Sequence, residues 1–381
     1  MKLILPLLGA NAVLMMAAAL VLWLTSALPP AFTAHLVLAL GILPLIIAAM
    51  IYFVPVLTRS GDAPRWLQAM APLAWLGGLL LLIAARGGLN TALTAALEIA
   101  GALLAAKAAA SPLLWMLARG RASLGAPHPG LAWYVAALGF LLAALAMVPL
   151  LWLWPEQRAA LRLLHLHANL LGFVVLTAIG TVQVLLPTAA AQFDKTVAGR
   201  LKRDLKFAVA GAALIAVGSA YSLVVAAVGA LLLLIPVVTM GSRWAIVHGQ
   251  RLGHLHGATT ALALACLGLV GLLFAGLGHA RGHLAGQDAL LGFVFAFLLP
   301  LVSGAIMQLL PVWLRPGRQD QWHERLRHAL GRYAGVHAAL LVAAGLALSL
   351  GWFPGLWLAG AGLLALVARW VWALRTMSHA T

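Results

Sequence analysis

Charge is what this sequence has least of. Only 8% of its 381 residues are Asp, Glu, Lys or Arg, against about a quarter in an ordinary soluble domain. That shortage excludes a conventional soluble enzyme, a disordered chain and a nucleic-acid-binding module. Acidic residues are the scarcest, 8 against 24 Lys and Arg, for a formal charge of +16. In a soluble chain such an excess would suggest a polyanionic partner. In a chain this apolar, basic residues are first read as the charges that orient it in a bilayer. A single cysteine, Cys266, rules out an internal disulfide and any Cys-only metal site. It lies in an apolar run and reads as an inert packing residue.

What the sequence has in abundance is hydrophobicity: 64% apolar residues and a mean hydropathy of +1.04. A membrane-crossing helix needs about 20 apolar residues. Twelve such runs are present, at 3–26, 33–57, 66–86, 91–118, 130–154, 163–189, 205–221, 223–246, 255–278, 288–313, 331–350 and 353–375. The seventh and eighth are divided by a weak turn at Ser219–Ser222. The first run is too long for a secretory signal and counts as a span. The fold class is therefore all-α: a polytopic membrane protein of 12 transmembrane helices, one membrane domain over 1–381.

With the N-terminus inside, Arg86, Arg158, Arg162 and Arg281 fall on the outer side and Lys107 inside a span, while the other nineteen Lys and Arg are inner. This bias predicts a multi-pass protein of a bacterial-type inner membrane with both termini cytoplasmic. Trp23, Trp66, Trp152, Trp154, Trp313 and Trp352 lie near span ends and read as interfacial anchors.

Spans 2, 6 and 10 share a pattern. His35 precedes Pro55 by 20 residues, His167 precedes Pro187 by 20, and Leu291 precedes Pro311 by 20. The period is 132 (167−35) and then 124 (291−167) residues. Each repeat holds four spans, approximately 1–125, 126–250 and 251–381, and an even number makes the three copies parallel.

Thirteen histidines are many for so apolar a chain. His35, His165, His167, His279 and His283 lie toward the outer side. His128, His248, His254, His256, His323, His328, His337 and His379 lie toward the inner side. The sets are separated by most of a bilayer and cannot form one site. An imidazole in a span must be paired, hydrated or ligating, and neutral imidazole is a common axial ligand of haem iron. His165 and His167 point about 200° apart on one helix, so they cannot chelate one ion from one face but can serve two sites, unless they are simply interfacial histidines wetted by outer-leaflet water. Gly41, Gly172 and Gly180 offer room for a macrocycle against a helix. The inner cluster HGQRLGHLHG (His248, His254, His256, with Arg251 among them) matches no zinc spacing and reads as solvated and helix-capping. His337 reads as a packed core residue.

The span HLHANLLGFVVLTAIGTVQVLLP resembles the HxH span of haem-copper oxidase subunit I, in which two histidines of one helix bind a low-spin and a high-spin haem. HLVLALGILPLIIAAMIYFVP is similar to that family's second span, which supplies the other axial histidine. Twelve spans in three groups of four match the family's architecture. A weaker resemblance, in size, span count and a histidine opening span 2, is to the NnrS family of haem- and copper-containing membrane proteins linked to nitric oxide. The resemblance implies a redox protein with a bis-histidine haem b, one or two in number, near the outer side. His35 would share it with His167 on the oxidase pattern, or with His165, because the HxH span is here the sixth rather than the tenth. Such a protein transfers electrons or binds O2 or NO. The oxidases' adjacent copper-binding histidines and their histidine-tyrosine helix pattern are missing, so no full binuclear centre is expected. His165 or His167 with His279 and His283 of the loop HARGHLAGQD would be a second metal site, with copper the candidate, although solvent-exposed histidines account for that loop more simply. No CxxCH occurs, which excludes covalent c-type haem.

Glu98 and Lys107 lie inside span 4, nine residues and about 13.5 Å apart on opposite faces. Intramembrane charges are usually functional, and each needs a partner elsewhere: a haem propionate, Gln183, Gln308 or water. Lys107 reads as part of a buried pair or the start of a proton path, since about 18 Å to the inner end is too far to snorkel. The expected partners are the lipid bilayer and a redox protein, with no nucleic acid. The competing readings are a twelve-span secondary transporter and a non-catalytic membrane anchor subunit of a redox complex. The sequence names no reaction, so whether the chain is an enzyme stays open.

Overall fold

The computed structural model describes residues 3–25, 28–123 and 125–378, the side chains of Arg251 and Ser378 excepted. Lys2 and His379, counted above on the inner side, and the Arg251 side chain lie outside that set. The described residues are helical and include no strand. In hydrocarbon each backbone N–H and C=O must find its partner within the chain, and a helix satisfies nearly all of them internally. Twelve helices are long and apolar enough to cross a bilayer: α1 (Ile4–Thr25), α2 (Pro30–Leu57), α3 (Arg65–Ala85), α4 (Thr91–Arg121), α5 (Gly130–Leu153), α6 (Pro155–Ala189), α7 (Val197–Tyr221), α8 (Leu223–Gln250), α9 (Ala258–Ala280), α10 (Gly286–Leu314), α11 (Gln321–Ser349) and α12 (Gly355–Met377). The protein is thus a multi-pass membrane protein. Each expected run is present, and Ser222 divides α7 from α8.

Three starts differ from the sequence reading by eight residues or more, that of α7 (197 against 205) among them. α6 starts eight residues earlier than expected, because Pro155 opens a helical turn and the arginines that argued against a span continue the helix. α11 gains an amphipathic segment, Gln321–Gly331, before its apolar part. Asp320 caps it, accepting from the backbone N–H of Trp322 and His323. Its Oδ1 also lies 2.7 Å from His323 Nδ1, and that hydrogen bond holds the Asp320 carboxyl below the usual carboxylate range. The helix then breaks at Tyr333, which is left-handed (φ +58°). The Tyr333 N–H donates to His256 Nδ1 at 2.9 Å, so His256 does cap a helix.

Three helices stand apart. In α2, α6 and α10 the most hydrophobic window is 72, 78 and 83% buried, against 28–50% in the other nine. The same three contain π-helical segments, His35–Ile42, Ala168–Val175 and Phe293–Leu298. A π turn widens the helix and leaves carbonyls off the α ladder, and such turns concentrate at functional sites. In α2, Pro44 cannot donate to the turn before it, and Leu40 O accepts from Asn11 Nδ2 of α1 at 2.9 Å. At the far ends of α2 and α6 the chain turns left-handed at Arg59 (φ +50°) and Ala191 (φ +52°). There Ser60 N–H closes on Pro55 O and Gln192 N–H on Pro187 O, a helix-terminating motif that satisfies carbonyls left over at the end.

The described residues divide into two compact units, one within 3–181 and 196–236, the other within 182–195 and 237–378. In the first, the π segment of α2 packs against α1 and α3, and that of α6 against α5 and α7. α3 and α4 approach closely where Gly77 meets Gly101: a Cβ on either would lie 2.8 Å from the other's carbonyl oxygen. In the second unit the π segment of α10 packs against α9 and α11, and α11 against α12. Cys266 is buried there with a free thiol.

Candidate functional site

The first unit holds the polar groups that α2, α4, α5 and α6 carry into its apolar interior. His35 is the first residue of the α2 π segment, and its Nδ1–H donates to Ala31 O at 2.7 Å. His165 precedes the α6 π segment, and its Nδ1–H donates to Ala144 O of α5 at 2.8 Å. The Nδ1–H of His167 donates to Leu163 O at 2.9 Å. A carbonyl only accepts, so in all three rings the proton is on Nδ1 and the lone pair on Nε2. This is the arrangement of metal-ligating histidines, in which a backbone acceptor fixes the tautomer and turns Nε2 outward. Among the described residues the Nε2 atoms of His35 and His167 find no hydrogen-bond partner. That of His165 accepts from Asn169 Nδ2 at 3.3 Å. The same amide also donates to His165 O at 2.8 Å, so it can release the ring and stay anchored.

His35 and His165 lie within electrostatic reach of each other, and Glu98 within that of His35. Both imidazoles sit deep among protein atoms, yet both residues keep accessible surface. His167 points elsewhere, as the 200° argument requires. Of the HxH pair, His165, which the oxidase pattern ranked second, is the member that interacts electrostatically with His35. Glu98 is half-buried, and its Oε2 accepts from Trp152 Nε1–H at 2.8 Å. The Arg158 guanidinium lies 5.0 Å over the Trp152 ring. Trp152 is therefore a polar partner of a carboxylate rather than an interfacial anchor, and Trp313, at 4% exposure, is a core residue. Trp66, Trp154 and Trp352 are exposed, as anchors are.

Other expectations resolve differently. The space beside the glycines is taken by side chains: a Cβ at Gly41 would meet Met15, at Gly172 the Phe140 ring, and at Gly180 Trp133. Any macrocycle must lie elsewhere than against these three positions. Lys107 is exposed and makes no hydrogen bond or ion pair, so it is not one of a buried pair. His248 is not solvated: it is 1% exposed, and its Nδ1 lies 2.5 Å from Gln192 Oε1. His254 is exposed and His337 half-buried. In the second unit the Nε2–H of His279 donates to Ser349 O at 3.0 Å, and His283 is exposed. Among the described residues no three His, Cys, Asp or Glu converge as a metal-ion site.

Outside the spans, His128 sits between α4 and α5. Its Nδ1 accepts from Gly130 N–H at 3.1 Å, and burial pushes its pKa down from the ordinary imidazole value. Sequence reasoning missed Asn169, Trp152 and Ala144 O. Asn169 lies four residues after His165, the spacing of helical neighbours, and that signal was available.

No protein-family model matches the chain, and neither does any curated protein.

Proposed function

We propose that the protein is a membrane redox protein that holds a b-type haem between His35 and His165. The observation that carries this reading is the matched preparation of the two rings. Each comes from a different helix and anchors Nδ1 on a backbone carbonyl. Each keeps accessible surface in a deep setting. An imidazole that was merely packed would have no reason to keep Nε2 presented. His35 and His165 would hold the iron, and a haem held by two imidazoles would supply one-electron transfer. His167, with its own Nδ1 anchored and Nε2 unbonded, is the candidate ligand for a second haem, the one that would bind O2 or NO. The reading stops short of copper, for which no cluster of three donors converges among the described residues.

Around the iron, the chain's own groups have defined tasks. Ala31 O and Ala144 O hold the ligand tautomers. Asn169 occupies the His165 lone pair until it is needed. The Glu98 carboxylate, held by Trp152, favours the more positively charged oxidised state by Coulomb attraction.

We further infer that the twelve helices are three parallel repeats of four, the arrangement of haem-copper oxidase subunit I. The π segments fall in spans 2, 6 and 10, the three most enclosed, and each packs between the helices before and after it. Arg59 and Ala191 turn left-handed at the same register, 24 residues after His35 (59−35) and His167 (191−167). On this reading the bias of the basic residues favours both termini in the cytoplasm of a bacterial-type inner membrane.

The test is the visible spectrum of protein purified from cells supplied with haem precursor. A Soret band whose alpha and beta bands sharpen on reduction, with one iron per chain, or two where His167 holds a second haem, is the predicted result. A colourless preparation without bound iron would sink the reading and favour the transporter alternative.

A further inference from the structure

We propose that the outward face of α4 around Lys107 receives a membrane helix of a different polypeptide that carries a carboxylate at the same depth.

α4 is the least enclosed of the twelve helices, its most hydrophobic window 28% buried. One exposed stripe runs along it through Ala96, Ala100, Leu103, Lys107 and Leu114. Lys107 stands 16 residues from Thr91 and 14 from Arg121, near the middle of the helix. It makes no hydrogen bond or ion pair, and an ammonium exposed to hydrocarbon is costly.

A lipid phosphate does not meet the need. The close approach of Gly77 to Gly101 and Ala105 sets α3 against α4 in register. On that register Lys107 lies about eight residues, roughly 12 Å, from the Arg65 end of α3. A lysine stem reaches only about 6 Å with bonds near 1.5 Å. Side chains on a helix also lean toward its N-terminus. Lys107 therefore leans toward the Asn90 end of α4, away from Arg119 and Arg121.

A second copy of the chain does not meet it either. A two-fold pairing through this face sets Lys107 near its own duplicate. Of the eight acidic residues, Asp194, Asp204 and Asp288 are buried and Glu98 is held by Trp152. Asp62, Glu156, Asp320 and Glu324 lie in loops or at helix ends. No exposed carboxylate exists at the Lys107 depth. Ala96 and Ala100 leave room for a helix to approach closely, as small residues do in membrane interfaces, and the charge calls for an Asp or Glu upon it.

The experiment places benzoyl-phenylalanine at Leu103, and separately at Leu114, in the full chain in its native membranes. Irradiation should give one discrete protein adduct whose mass is not twice 39.8 kDa, joined through a membrane helix containing Asp or Glu. Lys107→Leu should lower its yield at least ten-fold with the amount of folded chain unchanged. Converting that carboxylate to its amide should do the same. Lys107→Glu combined with Lys in place of the partner carboxylate should restore it. Adducts with lipid alone, adducts with a second copy, or a yield indifferent to Lys107→Leu would overturn the proposal. Lys107→Leu is apolar at a lipid-facing position, so this arm does not depend on a burdened fold.

Discussion

Gly268→Ala is the sharpest perturbation of the fold. Gly268 of α9 faces the π segment of α10, where a Cβ would lie 2.0 Å from Ala296 O. A carbon normally stands about 3.3 Å from a carbonyl oxygen, so the helices must separate by roughly 1.3 Å. Ala296 has little room to retreat, because Gly345 of α11 holds it as closely: a Cβ there would lie 2.2 Å from Ala296 N. Overpacking costs about 1–3 kcal/mol, occasionally more, and two close contacts at one residue place this change near 3 kcal/mol. Gly276, in the same helix, has nothing within 4 Å of its Cβ position. Gly276→Ala should stabilise by about 0.5–1 kcal/mol through lost backbone entropy in the unfolded chain. The pair should therefore differ by about 3–4 kcal/mol in an SDS unfolding titration in mixed micelles. If the two variants unfold within about 1 kcal/mol of each other, the close packing of α9 and α11 on the π segment is refuted as a source of stability.

Three further outcomes are expected. His35→Ala and His165→Ala should each abolish the six-coordinate spectrum, whereas His167→Ala should keep it; loss in the third alone would transfer the ligand role to His167. Trp152→Phe removes the indole donor from Glu98. A hydrogen bond to a charged group is worth about 1.5–3 kcal/mol, and the half-exposed position of Glu98 reduces this to about 1 kcal/mol. Thermal unfolding of that variant should show the loss, and Glu98→Gln in the Trp152→Phe background should then cost little more. His128 titrates in the fold below the ordinary imidazole value of about 6.5. Between the two values the unfolded chain binds the extra proton, so stability rises with pH there and is lost as pH falls from about 6.5. A pH series of unfolding should show less of that loss in His128→Asn.

The twelve crossings were legible because a bilayer demands about 20 apolar residues at a time, and no other arrangement of such runs satisfies their backbone. The break at Ser222 was legible for the same reason: the run from 205 to 246 is too long for one span. The extension of α6 through Arg158 and Arg162 was hidden, since arginine argues against a span although it continues a helix well. The segment Gln321–Gly331 was hidden by its polarity. Its cap at Asp320 lies three residues before His323, not the usual Glu or Gln of a capping box. The π segments left no trace of their own, because a run as uniformly apolar as LVLALGI shows no periodicity from which to separate 3.6 residues per turn from a wider helix. His35 and the HxH pair were legible as unusual polar residues in apolar spans. The hydrogen bond that turns the His165 ring was not, since it depends on where Ala144 O of α5 stands. The glycines misled for a related reason: Gly41, Gly172 and Gly180 do mark close approach, but to Met15, Phe140 and Trp133 of their own bundle.

The most direct measurement is an experimental density map of the purified protein at the space that His35 and His165 face. The expected result is haem density held by His35 and His165, with the Asn169 amide turned onto the His165 carbonyl. Water or lipid between those rings, with Asn169 still on Nε2, would contradict it.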